Sequence, residues 1–152
     1  QTKKGNQWYF GMKAHIGVDS QTKLIHSVAA TAANVQDSSV LPELLHGQET
    51  RVWGDSAYSG QRDVIQRHAP NTKSFIQAKA HRHRPLSEEE RARNRTKSKV
   101  WVKVEHAFLP KIRLITKAKV RYRGLAKNTH WRQISCGLAN LYVSRRRLLA
   151  GV

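Results

Sequence analysis

The chain has 152 residues, with 28 Lys and Arg against 10 Asp and Glu, and so a formal charge of +18. That length suggests one domain, and so much like charge calls for a polyanionic partner to offset its self-repulsion. The single Cys136 excludes an intrachain disulfide and fits a reducing compartment, the cytoplasm, while no apolar run approaches the roughly 20 residues that span a bilayer.

Gln1 to Gly5 lack the layout of a signal peptide and an initiator Met, so the sequence reads as a piece of a longer protein. Trp8, Phe10, Met12, Ala14, Ile16 and Val18 then occupy alternate positions, the pattern of a half-buried strand. Asp19-Ser20-Gln21-Thr22 is turn chemistry, and Leu24 to Thr31 reads as a second strand returning beside the first. Asp37 can cap a helix running to Leu45 and stopped by Gly47, with Pro42 in its first turn. Arg51-Val52-Trp53 reads as a short central strand ending at Gly54-Asp55. Gln61 to His68 reads as a helix, Lys73 to Ala78 as a strand and Lys79 to Pro85 as a basic loop.

Ser87-Glu88-Glu89-Glu90 matches a capping box, with its acids at the helix end the macrodipole favours. Val100, Val104 and Phe108 continue an apolar stripe that Pro110 should end or kink. From Thr116 to Gly124 basic and apolar residues alternate with the period of a strand. A last helix, from Asn128 to Leu149, is expected to bury Ile134, Leu138 and Leu141. Strands, then alternating elements, then helices indicate a layered α/β or α+β domain.

The charge is uneven. After Glu105 there is no acid, whereas Lys111, Arg113, Lys117, Lys119, Arg121, Arg123 and Lys127 follow in close order. With no acids interleaved, contact with a nucleic-acid backbone explains such a run better than a solvated face does. Contacts of this kind position a duplex without reading its sequence.

Acids are scarce enough that each one in an apolar setting needs a reason. Asp55 would project from a strand end, and Glu105 lies between Val104 and Phe108. Two carboxylates from separate elements can hold Mg²⁺ (or Mn²⁺), and a pair of such ions supports in-line displacement at phosphorus. From spacing alone, a capping Asp55 and a rim Glu105 explain the same residues equally well.

Longer words narrow the choice. Lys4 through Asp19 (KGNQWYFGMKAHIGVD) resembles bacterial transposases of the insertion-sequence-five type, as does Val52 through Gly60 (VWGDSAYSG). Val104-Glu105-His106-Ala107-Phe108, Lys119 through Asn128 (KVRYRGLAKN) and Leu138-Ala139-Asn140-Leu141-Tyr142 look like the same family. The resemblance covers essentially the whole chain. It implies a ribonuclease-H-like α/β fold, a mixed sheet flanked by helices and lacking its first strand. Residues 1–152 would then be a single, N-terminally truncated DDE catalytic domain.

The family's activity is metal-dependent cleavage of DNA ends and their transfer to target DNA, with self-association of the intact enzyme. By resemblance Asp55 matches its second acid and Glu105 its last, both catalytic and both metal ligands. The first acid has no match here, and Asp19 sits in turn chemistry. The resemblance therefore implies a catalytically incomplete copy.

The sequence also departs from the family pattern near Glu105. Ser98 and Trp101 stand where the family has Tyr and Arg, and Ile112 where it has Lys, with Lys111 and Arg113 about 100° to either side on a helix. Elsewhere the histidines show at most an H-x-H, in the 79–85 loop, which gives no zinc-ligand spacing. Cys136 reads as a core thiol and Trp8 and Trp53 as core aromatics, whereas Trp131 could pack or stack on a base. A non-catalytic basic module for nucleic acid remains the alternative to an enzyme fragment.

Overall fold

The computed structural model describes residues 2–9, 11–116 and 122–151, and for residues 2–4, 8–9, 101 and 104–116 the backbone path only. The chain divides into two compact units, residues 1–36 with 106–152, and residues 37–105.

The first unit opens with a hairpin that the alternating pattern does not announce. Strands β1 (Thr2–Lys4) and β2 (Gln7–Tyr9) pair antiparallel, with Lys4 opposite Gln7. Gly5, at φ +63°, begins the two-residue turn, where hairpins need positive φ. The expected strand from Trp8 to Val18 is therefore two strands, and Phe10 between them lies outside the described residues.

Strands β3 (Met12–Val18) and β4 (Ile25–Ala32) pair antiparallel, as the turn chemistry predicts. Asp19 makes that turn by accepting the Gln21 and Thr22 amides and the Thr22 hydroxyl on one oxygen. The Thr22 amide is the main cause holding its carboxyl below the usual aspartate value, and the group's role is turn closure.

The alternation in β3 is only half right. Ile16, Val18 and Val28 pack against Ile25, Cys136 and Ala139 as a core. Yet Ala14 is exposed and His15 is buried opposite Ala29. The Thr31 hydroxyl lies 2.8 Å from His15 Nε2, which satisfies an imidazole that would otherwise be costly to bury.

Helix α4 (Leu125–Ala150) packs on β4 with small residues. Asn128, Ser135, Cys136 and Ala139 face inward, whereas Ile134, Leu138 and Leu141 are exposed, each by 47% or more. The prediction that those three are buried is corrected: a helix lying closely on a strand needs small side chains at the contact, so size overrides hydropathy. Burial pushes the Cys136 thiol above its ordinary value, consistent with a core group.

An asparagine anchors this contact. Ile25 N–H donates to Asn140 Oδ1 at 2.9 Å, and Asn140 Nδ2 donates to Ile25 O at 2.8 Å. Asn140→Ala leaves a buried amide and carbonyl without partners, at about 2 kcal/mol. The variant should therefore unfold at lower urea with an unchanged m-value, and an unchanged midpoint would show that the clamp contributes nothing.

In the second unit, the helix expected from Asp37 to Leu45 is broken. A 3₁₀ turn, Asp37–Val40, precedes a short α1 (Leu41–Leu44) with Pro42 in its first turn, and Asp37 does not cap it. Pro42 has no amide to give and is tolerated only at such a start. Val40, Leu41 and Leu44 are buried, as are Ile65 in α2 (Arg62–His68) and Ala69 after it.

Strands β5 (Arg51–Gly54) and β6 (Lys73–Ile76) pair in parallel, and Trp53 stacks on Phe75 with centroids 4.3 Å apart. Among the described residues β5 has only β6 as a neighbour, so the central position expected of it is not observed.

Helix α3 (Glu88–Thr116) begins at the capping box. Glu90 N–H donates to Ser87 Oγ at 3.2 Å, and Ser87 N–H returns to Glu90 Oε2 at 3.0 Å. That amide, aided by Arg84 at 2.8 Å, holds the Glu90 carboxyl below its ordinary value. The helix runs on through Pro110, which therefore does not end it. No helix among the described residues is long and apolar enough to cross a membrane.

Candidate metal and DNA site

Strand β5 ends where the backbone is covered from both sides. A Cβ at Gly54 would lie 3.4 Å from Ile76 Cγ1 and 3.4 Å from Tyr58 Cδ2, so glycine lets the Tyr58 ring close over the strand end. Asp55 follows in extended conformation and caps the 3₁₀ turn Ser56–Tyr58. Its Oδ1 accepts the Ala57 amide at 2.8 Å. The residue is exposed, and no described residue donates to Oδ2. Asp55 thus holds one oxygen in the turn and presents the other outward, which serves both the capping and the metal-binding reading.

The 3₁₀ turn of Asp37 packs against that of Tyr58. Burial, and then the Asp37 and Asp55 carboxylates, push the Tyr58 phenol above its ordinary value, so it stays protonated beside them.

Helix α3 is pinned to the end of β6 by three side chains. Ala78 N–H donates to Asn94 Oδ1 and Asn94 Nδ2 donates to Ala78 O, both at 2.9 Å. Lys97 Nζ donates to Ile76 O at 2.6 Å, and Gln77 Nε2 to Ser98 Oγ at 3.0 Å. Because Gln77 N–H also donates to Gly54 O, these bonds tie the helix to the strand end that carries Asp55.

Position 105 lies 105 − 94 = 11 residues after Asn94 and 105 − 98 = 7 after Ser98. Both separations return within about 20° of the same helix face. Glu105 therefore occupies the face of α3 that meets β6, about 10 Å further along the axis than Ser98. Its side chain lies outside the described set, and among the described residues no three His, Cys, Asp or Glu form a metal-holding group. An exposed carboxylate with an outward oxygen still suits Mg²⁺, which is held by one or two carboxylates plus water and phosphate oxygens.

The basic positions fare unevenly. Lys117, Lys119 and Arg121 lie outside the described residues, and Lys111 and Arg113 are on α3 with their side chains undescribed. Arg123 and Lys127 are exposed, in a bend and in the first turn of α4. The strand expected over 116–124 thus falls mostly outside the described residues, and Tyr122 to Gly124 form a bend rather than a strand.

Asn128 holds that bend, donating to Tyr122 O at 2.6 Å and Gly124 O at 2.7 Å. Neither Asn128 nor Asn94 stands out in the sequence, because a lone polar residue inside a helix carries no pattern. Trp131 meets Tyr122 edge-on at 6.2 Å, an intramolecular contact for the aromatic whose role was left open.

A family model of the transposase DDE domain matches residues 1–141. The chain belongs to that family, whose function is DNA transposition and whose members generally use divalent metal ions and bind DNA. No solved structure matches the chain.

Proposed function

We propose that the chain is part of the catalytic domain of a bacterial, insertion-sequence-five type transposase, built on a ribonuclease-H-like fold. In this reading Asp55 and Glu105 are two of the acids that bind Mg²⁺ or Mn²⁺, and the basic segment after Glu105 holds element ends and target DNA. The family words around Asp55 and Glu105 support it. The observation that carries it is the pinning of α3 to the β5–β6 end by Asn94, Lys97 and Ser98. It sets the face bearing position 105 toward the ladder that ends in Asp55.

When bound, the metal supplies Lewis-acid activation of a hydroxyl and stabilisation of the leaving oxygen. The chain's own part is to orient the ligands: Ala57 N–H fixes the Asp55 carboxylate, and the Tyr58 ring shields the strand end from which it projects.

Mn²⁺ titration of the chain with duplex DNA, read by electron paramagnetic resonance, tests the assignment. Asp55→Asn and Glu105→Gln should each weaken the ion by about tenfold or more, since even outer-shell changes at metal sites cost that much. Wild-type affinity in either variant would show that the two acids do not share an ion.

The non-catalytic module is the second reading, favoured by the lack of any acid after Glu105. It expects both variants to bind DNA as the wild type does, with no metal dependence.

A further inference from the structure

Arg91, Arg95, Lys99 and Lys103 recur at four-residue intervals along α3, and all four are exposed. Each step of four residues advances about 6 Å along the helix axis and about 40° around it, so the row is an inclined ridge about 18 Å long. Of the acids of this helix, Glu88 to Glu90 stand in the turn before the row begins and Glu105 comes after its end. Among the described residues no carboxylate pairs with any of the four. Four like charges along one ridge repel one another, and among the described residues no ion pair offsets them.

We infer that this row is a docking ridge for the phosphate backbone of duplex DNA. Over about 18 Å of duplex axis one strand carries about five phosphates, so four evenly spaced cations match its charge density. The occupant is a backbone rather than a protein surface because cations dominate the row: Val102 is the one exposed large apolar residue beside them among the described residues, and protein interfaces rely on clustered aromatic or apolar anchors. The ridge starts at Arg91, about 40° around α3 from position 105, and turns away with each step, so that Lys103 lies about 160° from it. It ends at Lys103, two residues short of Glu105.

The ridge is separate from the basic segment after Glu105 and rests on the reading of the chain as a DNA-binding transposase domain. Fluorescence anisotropy of the full chain with a labelled 20-base-pair duplex of arbitrary sequence tests it. The variant Arg91→Gln, Arg95→Gln, Lys99→Gln, Lys103→Gln keeps helix propensity and should lower the slope of log affinity against log salt by about 3 to 4. A charge-keeping set, R91K, R95K, K99R and K103R, should leave the slope as in the wild type. If circular dichroism shows the quadruple Gln variant unfolded, each single Gln variant should still lower the slope by about 0.9.

An unchanged slope in folded Gln variants overturns the ridge while leaving DNA binding by the chain intact. A wild-type chain that binds no duplex overturns the broader reading, and the ridge with it. A slope change seen with single-stranded RNA but not with duplex DNA overturns the assigned occupant.

Discussion

The affinity of the chain for duplex DNA is expected to fall by about 10³-fold or more between 50 and 200 mM salt. The source is counterion release: six to ten phosphate contacts give losses of about 10³ to 10⁵ over that range. Residues 106–152 carry cations and no acid at all, with Arg123 exposed in the bend that Asn128 holds and Lys127 exposed in the helical turn after it. Few internal carboxylates compete for these groups, so most of the formal charge of +18 is available to a polyanion. Filter binding across a salt series measures the slope directly. An affinity that barely changes would sink DNA-backbone recognition as the purpose of the charge.

The second large effect is an absence of turnover. The 152-residue chain is expected to join no 3′-hydroxyl end to target DNA in Mg²⁺, at any protein concentration that saturates the DNA. The chemistry needs three acids. In the proposed reading only Asp55 and Glu105 match that set, and Asp19 is engaged in closing the β3–β4 turn. Losing one member of a catalytic set that works as a unit costs on the order of 10⁴ or more in rate. Trp101 and Ile112 also stand where the family carries cations, so a planar phosphate-binding fork and an ammonium are missing beside Glu105. Strand-transfer products on a gel, present with the wild type and lost in Asp55→Ala, would show that two acids suffice. The same variant should leave the salt dependence of DNA binding untouched, which separates holding DNA from cutting it.

Several local features were legible in the residues because they depend on neighbours in the chain. The Ser87–Glu90 capping box forms with both of its reciprocal bonds, and the Asp19 turn closes β3 onto β4. Strand β5 ends at Gly54 with Asp55 immediately after it, as the short apolar run implies. The clamps of Asn94 and Asn140 were not legible, since each joins a helix to backbone groups of a distant segment and leaves no periodic trace, whereas Asn128 bonds only the bend before its own helix. The inner face of α4 misled for a related reason: hydropathy nominates Ile134, Leu138 and Leu141, while close approach to β4 selects Ser135, Cys136 and Ala139.

The sequence by itself determined the family, and with it the partner class and chemistry proposed for the chain. Charge, acid scarcity and the words around Asp55 and Glu105 are properties of composition and order, and they survive any folding. Only the tertiary structure decided how those residues are presented. It engaged one Asp55 oxygen in the turn and left the other with no donor among the described residues, and it pinned α3 to the β5–β6 end through Asn94, Lys97 and Ser98, the last of them about 10 Å along the helix from position 105. It also left Arg91, Arg95, Lys99 and Lys103 as an unopposed row. Which face of a helix meets a strand depends on size and hydrogen-bond fit across the chain, and no local pattern encodes that fit.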